Sequence, residues 1–227
     1  MGDLAGLVYG ITVWALPLIL AVTLHEAAHG YAALMMGDDT ASRMGRISLN
    51  PIRHIDPFGT IILPGLLLAL GGVMFGWAKP VPVNFARLRS PRLGMIVVAA
   101  AGPGMNVALA VISVLLAIHL LPHMPRDIQG WLLLNLDNAI YFNLLLAVFN
   151  MIPIPPLDGG RVLVGVLPAP LAWRVARLEK AGMIILLLAL FVLPILGGKL
   201  GLDLDVFRWL VQGPVDTLGR VLVEVLQ

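Results

Sequence analysis

The chain has 227 residues, of which 59% are hydrophobic and only 12% are charged, and it has no cysteine. Soluble domains contain roughly one-quarter charged residues, so this composition indicates a membrane protein. The lack of cysteine excludes disulfides, a thiol nucleophile and thiolate metal ligands, so a metal would need histidine, carboxylate or water. The formal net charge of +2 comes from basic residues in short loops between apolar runs, and we expect no nucleic-acid partner.

The first apolar run predicts one long helix over residues 7–36, with a bend at Pro17 and an end at Gly37. No lysine or arginine precedes Arg43, which differs from the basic start of a cleavable signal peptide. We therefore expect this helix to remain in the mature protein.

Later apolar runs predict further membrane segments, since a bilayer crossing takes about 20 residues. Three more spanning helices are expected, at 94–121, 131–152 and 181–196. The apolar stretch 60–75 is interrupted by proline and glycine, and it either crosses the membrane or re-enters it. Residues 79–83, Lys-Pro-Val-Pro-Val, predict extended chain. The tail from residue 203 predicts an interfacial amphipathic helix broken at Pro214.

These elements predict an all-α polytopic membrane protein of about four to six membrane segments. A small strand or re-entrant element should lie between the first and second core helices. We expect a single membrane-embedded domain over 1–227, with a core at 7–161 and a C-terminal helix and interfacial tail at 181–227. The sequence contains no internal repeat and no low-complexity linker.

The basic loops indicate the topology of the chain. If residues 60–75 re-enter, the basic segments 38–57, 76–93 and 153–180 all lie on one side of the membrane, as the positive-inside tendency favours. This arrangement places the N-terminus outside. It predicts a protein of the cell membrane whose site opens toward the cytoplasm.

Residues 25–29, His-Glu-Ala-Ala-His, carry the strongest chemical signal within the first apolar helix. His25 and His29 are four residues apart, which puts both imidazoles on one helical face, as zinc requires. Glu26 is adjacent and can activate the attacking water. Ionisable side chains in a membrane helix cost about 3 kcal/mol each unless they pair or bind a ligand. The segment therefore predicts a metal site below the membrane surface.

Asp158 is the strongest candidate for a third metal ligand, because catalytic zinc normally has three protein ligands and one open position. It follows Pro153, Pro155 and Pro156, which must break the third helix. Broken backbone at membrane depth persists where protein buries it or water fills a cavity. The alternative is that Asp158 caps a new helix or pairs with Arg161 at the surface.

Together, these two segments resemble the site-2 protease family of intramembrane zinc metalloproteases. That family pairs a His-Glu-x-x-His helix with a later Asn-x-x-Pro-x-Pro-x-x-Asp-Gly segment, and the chain has both, at 25–29 and 150–159. The resemblance covers about 7–161 and is to a minimal form without added soluble regulatory domains. It implies one zinc ion per chain, with Asp158 as the third ligand and Asn150 beside the scissile carbonyl.

Some further residues keep two interpretations each. Residues 101–106, Ala-Gly-Pro-Gly-Met-Asn, resemble the motif of the family's middle core helix, and Asn106 either packs helices together or contacts substrate. Residues 58–83 resemble in position the family's strand or re-entrant element, which holds substrate by edge pairing. His54 lies in a polar loop and is either an ordinary interfacial residue or close to the metal or substrate.

The sequence thus predicts a zinc metalloendopeptidase that cuts in or near transmembrane segments, with Glu26 as general base and Asn150 as a second catalytic residue. Its expected partners are the lipid bilayer and membrane-spanning protein substrates, whose helices must unwind before a peptide carbonyl can reach the site. Two alternatives remain from other classes. They are a non-catalytic membrane scaffold that binds transmembrane clients and a metal or proton transporter.

The topology can be tested by single-cysteine labelling, which has no native background. A cysteine replacing Arg89 should react with a membrane-impermeant thiol reagent only from the cytoplasmic side, because re-entry keeps the basic loops together. A cysteine replacing Arg126 should react only from outside. Labelling of both positions from the same side would contradict the re-entrant arrangement.

Overall fold

The computed structural model of the chain describes residues 2–63, 65–66 and 76–226, and every regular element in that part is helical, with no strand. The α-helices of the described part, in chain order, are α1 Gly2–Met35, α2 Thr40–Arg43, α3 Pro91–His119, α4 Arg126–Asn150, α5 Asp158–Val166, α6 Ala169–Ala176, α7 Glu179–Leu187, α8 Leu193–Leu200 and α9 Gly213–Leu226. Short 3-10 and π-helical turns lie between several of them.

Four segments of the described chain are long and apolar enough to cross a membrane. They are Leu4–Met35, Pro91–His119, Arg126–Asn150 and Ala181–Leu200. The four predicted helices are therefore present, with ends shifted by a few residues, and each is a candidate membrane span. This composition and these helices are those of a membrane protein.

The stretch 60–75 lies only partly within the described residues. Its first residues belong to a π-helical turn at Pro57–Ile62, whereas 64 and 67–75 are outside the described part. Residues 76–84 form neither helix nor strand, so the segment 79–83 is not helical, as the prediction of extended chain requires. The small strand is not found among the described residues.

The tail differs from the sequence prediction, because Pro214 does not break the helix there. A π-helical turn at Arg208–Gln212 leads directly into α9, in which Pro214 is the second residue. Proline is tolerated in a first helical turn, and a π turn can absorb a local mismatch. Val211 and Val215 are buried in a cluster with Ala110 of α3 and Leu144 of α4. The tail thus packs against the helical bundle.

The bundle of α1, α3 and α4 is held by close backbone approach and by polar contacts. Small residues are buried along these helices, among them Ala21, Ala33, Ala99 and Ala110. Small side chains allow transmembrane helices to pack closely where no hydrophobic force drives them together. The Trp131 indole N–H of α4 donates to Thr12 Oγ1 at 3.0 Å, and Asn138 Nδ2 donates to the Val13 carbonyl at 3.0 Å. These bonds fix α1 against α4.

Asp38 connects the end of α1 to the segment before α3. It follows Gly37, which ends the helix in the left-handed region with φ 104°. The Asp38 side chain is fully buried. Its Oδ1 accepts from Thr40 N at 3.0 Å and from Thr40 Oγ1 at 2.5 Å, while its Oδ2 accepts from Asn84 N at 2.6 Å. One carboxylate therefore anchors two segments of the chain.

Asp38→Asn tests this anchor. Burial acts to raise the pKa of Asp38, but the hydrogen bonds from Thr40 and Asn84 and the charge of Arg87 outweigh it and lower the pKa below its usual 3.8. The carboxylate's contribution is therefore present above about pH 4 and is lost as pH falls through the lowered pKa. We expect the variant to lose about 1–3 kcal/mol of unfolding free energy at neutral pH.

Chemical denaturation in detergent micelles measures this difference. The gap between wild type and variant should shrink progressively below about pH 4, because both side chains are then uncharged. An equal gap at neutral and at strongly acidic pH would show that the charge on Asp38 contributes nothing.

Candidate metal centre

Three side chains from two distant parts of the sequence meet inside the bundle. His25 and His29 lie one turn apart on α1, and Asp158 is the first residue of α5. All three are buried, and their ligand atoms lie within 4.8 Å of one another. The Nε2 atoms of the two histidines are 3.1 Å apart, and Asp158 Oδ2 lies 3.3 Å from His25 Nε2 and 3.2 Å from His29 Nε2.

This triangle has the dimensions of a zinc site. Zinc bonds to nitrogen and oxygen are about 2.0–2.1 Å long, so ligand atoms at the corners of a tetrahedron lie about 3.3 Å apart. The three observed edges match that spacing closely. The residues present therefore fit three protein ligands of a tetrahedral ion, with the fourth corner left for water or substrate.

The backbone of α3 fixes the tautomer of His29. Its Nδ1 lies 2.7 Å from the carbonyl oxygen of Val98. A carbonyl can only accept, so Nδ1 carries the proton and donates it. The Nε2 atom of the neutral ring then presents a lone pair toward His25 and Asp158.

A relay of two asparagines fixes the tautomer of His25. Asn143 Nδ2 donates to the Ala139 carbonyl at 2.8 Å, which turns its Oδ1 toward Asn106 Nδ2, also at 2.8 Å. Asn106 Nδ2 also lies 3.2 Å from the Ala21 carbonyl. Asn106 Oδ1 therefore faces His25 Nδ1 at 2.5 Å and accepts its proton. Each amide orientation follows from the preceding one, starting from a carbonyl that cannot donate.

With both Nδ1 atoms protonated and both imidazoles neutral, the site contains three converging electron-pair donors. Two imidazole lone pairs and a carboxylate oxygen within 3.3 Å of one another repel unless a cation or proton lies between them. Neutral imidazole and carboxylate are the donor types that suit zinc. The chemistry of the donor set and its geometry therefore both fit a zinc ion.

The proline-rich loop after α4 brings Asp158 to the histidines. The loop turns back so tightly that a methyl group on Gly159 would overlap the Met151 carbonyl, and one on Gly160 would overlap the backbone at Pro155. Asp158 can therefore start a new helix close to the end of α4. Arg161 pairs instead with Glu179, at 3.7 Å between Nη2 and Oε1, whereas Asp158 contacts the histidines. The Asp158–Arg161 alternative is therefore not what the structure contains.

Gly102 of α3 leaves the space that the imidazoles fill. A methyl group at this position would overlap His29 Nε2 and would lie 2.7 Å from His25 Cε1. Real Cβ atoms do not approach so closely, so any side chain here would displace the rings. Gly102 and Asn106 are one turn apart on the same helix. Gly102 leaves space for the imidazoles because it has no side chain, and Asn106 accepts a hydrogen bond from His25.

The remaining predicted residues have different surroundings. Glu26 is half-buried, and its Oε2 accepts a hydrogen bond from Val81 N at 2.8 Å. Asn150 is the last residue of α4, and its Nδ2 donates to the Leu146 carbonyl of its own helix at 3.0 Å. His54 is buried, but its Nε2 lies 2.8 Å from the Ser48 carbonyl and it is not part of the metal-ligand cluster.

Sequence reasoning did not identify Asn143 or the role of Asn106 as a hydrogen-bond partner of His25. A buried asparagine in an apolar helix is a signal that a polar partner exists. The sequence could not indicate which partner, because Asn143 is 118 positions from the ring that it helps to orient. That pairing depends on the packing of three helices.

Comparison with known proteins identifies relatives of the chain. The profile of Peptidase family M50 matches residues 129–193. The chain is 41% identical over 182 residues to YwhC of Bacillus subtilis (strain 168), an alignment that covers 78% of this chain and 79% of YwhC. It is 32% identical over 180 residues to Rip2 of Mycobacterium tuberculosis (strain ATCC 25618 / H37Rv), covering 79% of this chain and 66% of Rip2. Both proteins carry the name "Putative zinc metalloprotease".

The chain belongs to the M50 peptidases, the site-2 protease family. No solved structure matches it. The family and the names of these relatives support a metalloprotease that uses zinc. The roles of individual residues depend on the geometry of this chain.

Asn106→Leu tests the relay to His25. Leucine has a similar volume but cannot accept the Nδ1 proton, so His25 loses the hydrogen bond that fixes its tautomer and orientation. We expect zinc affinity to fall about 10- to 100-fold, the usual effect of removing such a partner. Competition with a chromogenic chelator in detergent measures the affinity directly.

Asn135→Leu is the matched control. Asn135 is another buried asparagine of α4, and its Nδ2 donates to the Trp131 carbonyl, away from the metal-ligand cluster. Its replacement should leave zinc affinity unchanged. Equal zinc affinities in wild type and Asn106→Leu would contradict the relay.

Proposed function

We propose that the protein is an intramembrane zinc metalloprotease that hydrolyses peptide bonds in or near transmembrane segments of membrane proteins. The observation that carries this proposal is the triangle of His25, His29 and Asp158, with Glu26 beside the first histidine. Both histidines and Glu26 lie on α1, which is long enough to span a membrane. Membership of the M50 family gives independent support.

The depth of the site supports action within the membrane. His29 and His25 lie six and ten residues before the end of α1 at Met35. At about 1.5 Å per residue the histidines are roughly 9–15 Å inside that helix end. A peptide bond must therefore enter the bundle in order to reach them.

The proposed ligands are His25 and His29, through Nε2, and the Asp158 carboxylate. A zinc ion held there supplies Lewis acidity toward a peptide carbonyl and toward the water that attacks it. Glu26 takes a proton from that water and later delivers it to the leaving amine. Its position directly after His25 keeps the carboxylate near the site without making it a ligand.

We assign Asn150 to the stabilisation of the developing oxyanion. Asn150 is the last residue of α4, eight residues before Asp158, where the loop that leads to Asp158 begins. The Nδ2 group now bonds to Leu146 within its own helix, and it would have to exchange this bond for one to substrate. The Asn-x-x-Pro-x-Pro-x-x-Asp-Gly motif at 150–159 supports this role.

The substrates that we propose are membrane-spanning proteins with helix-weakening residues near the cut. A regular helix hides its peptide bonds, so local unwinding must precede attack. The site should open toward the cytoplasm of a cell-membrane protein, because the neighbouring loops contain most of the basic residues.

The alternative of a proton transporter has less support. A proton path needs a series of groups that gain and lose protons, whereas His25 is followed by Asn106 and Asn143, which do not titrate. The relay ends at the Ala139 carbonyl within α4. Such an arrangement suits a fixed ligand.

Two variants separate the general base from the ligands. Glu26→Gln keeps the size of the side chain but cannot accept a proton, so the purified protein should bind about one zinc ion and cleave nothing measurable. Asp158→Ala removes one of three ligands and should lose most of its zinc together with its activity. Elemental analysis and cleavage of a labelled single-span peptide with a central Asn-Pro pair provide the two readouts.

The proposal fails if Glu26→Gln still cleaves the peptide or if wild-type protein loaded with zinc does not. Zinc content equal to that of wild type in Asp158→Ala would move the third ligand elsewhere. An Arg161→Gln variant serves as a control, because it changes a charge near Asp158 that does not contact the histidines.

A further inference from the structure

A segment that forms neither helix nor strand lies against α1 beside Glu26, and we call residues 77–84 the strap. Trp77 N donates to the Gly59 carbonyl at 3.1 Å, and Lys79 N donates to the His54 carbonyl at 2.9 Å. Arg46 Nη2 donates to the carbonyls of Lys79 and Pro80 at 2.9 and 3.3 Å. Together with the Asn84–Asp38 bond, these contacts hold the strap at several points along its length.

The sequence of the strap leaves one amide proton at its centre. Pro80 and Pro82 have no N–H, so Val81 supplies the only donor among these three residues. At alternate positions of the strap, the N–H groups of Trp77, Lys79 and Val81 each donate to another part of the protein. The Val81 N–H reaches Glu26 Oε2 at 2.8 Å.

Gly30 allows this approach. It lies four residues after Glu26, on the same face of α1. A methyl group at Gly30 would lie 3.3 Å from Val81 Cγ1 and 3.0 Å from Ile47 Cγ1, closer than most such contacts. Val81 is 7% exposed, so its backbone amide and side chain are held inside the protein. The missing side chain at residue 30 lets the strap lie directly on the turn that carries Glu26.

We propose that the Val81 N–H is a positioning group for the general base. A carboxylate has two oxygens, and a hydrogen bond to Oε2 fixes the rotation of the group and leaves Oε1 to exchange protons with the attacking water. Without this hydrogen bond a glutamate side chain can occupy many rotamers, and ordering it in one of them costs conformational entropy. Small displacements of a catalytic group slow a reaction strongly. This inference rests on the proposed function, in which Glu26 is the base.

The bond also limits what the strap can offer to a substrate. A peptide that adds to a strand edge needs free N–H donors along that edge. Val81's donor is engaged by Glu26, and the prolines on either side supply none. Prolines at these positions are a common way to keep an extended segment from pairing with another chain. The strap therefore serves the base in preference to extending a sheet.

Val81→Pro tests the proposal by removing the donor while keeping an apolar residue. In the zinc-loaded full-length protein in detergent, we expect kcat toward the labelled Asn-Pro peptide to fall about 10- to 100-fold. Zinc content and KM should stay near wild-type values, because the ligands and the substrate contacts are unchanged.

Two matched variants separate the amide from its surroundings. Val81→Ala keeps the N–H and removes side-chain packing, and Val83→Pro removes a neighbouring N–H that is not directed at Glu26. Both should retain kcat within a few-fold of wild type. The inference is overturned if Val81→Pro keeps wild-type kcat, if Val81→Ala is equally slow, or if Val81→Pro loses its zinc.

A second measurement does not depend on cleavage. Hydrogen exchange followed by mass spectrometry should show faster exchange in the peptide that contains Val81 when Glu26 is replaced by alanine, since the amide loses its acceptor. Unchanged exchange would overturn the inference even if the protease function holds. Absence of cleavage by the zinc-loaded wild type would instead overturn the proposed function. The exchange result would then still show whether the Val81 N–H is bonded to Glu26.

Discussion

Within a membrane bundle, the polar atoms of a metal site must be satisfied by the protein itself. Here His29 donates to a backbone carbonyl, and His25 donates to an asparagine that is held by a second asparagine. Glu26 accepts from a backbone amide. These contacts come from α1, α3, α4 and the strap, so the requirement to satisfy one site joins most of the central elements.

Close backbone approach is the second condition, and small residues provide it. Gly102 leaves room for two imidazoles, and Gly30 leaves room for the strap. In water a glycine inside a helix weakens it, but transmembrane helices gain packing and hydrogen bonds from close approach. The polar network and the glycines therefore depend on each other, because the short bonds of the network need the space that the glycines leave.

Irregular backbone near the site must also have its polar atoms satisfied by the protein. The loop from Met151 to Leu157 ends α4 and leads to α5 at Asp158, while the strap lies beside α1 without forming a helix or a strand. Such irregular chain is tolerated at membrane depth where other protein groups cover its polar atoms. Under the proposed function a helical substrate must expose a peptide bond there, and irregular segments beside the site are compatible with that requirement.

The sequence by itself determined a large part of this protein. The apolar runs gave the four spanning helices to within a few residues, because a bilayer fixes the length and composition of a crossing segment. The spacing of His25 and His29 gave their common face, because a helix repeats every 3.6 residues. The motif around Asp158 indicated a third candidate ligand, and the Lys-Pro-Val-Pro-Val run indicated a segment that is not helical. These features are local, so a local pattern can predict them.

Only the tertiary structure decided which groups meet. The tail prediction was wrong at Pro214, because a preceding π turn and packing on α3 and α4 let the helix continue. The tautomer of His25 depends on Asn106 and Asn143, and the setting of Glu26 depends on Val81, 55 positions away. Such contacts join residues far apart in the chain, and the physical reason they escape the sequence is that a hydrogen bond depends on the relative placement of packed elements.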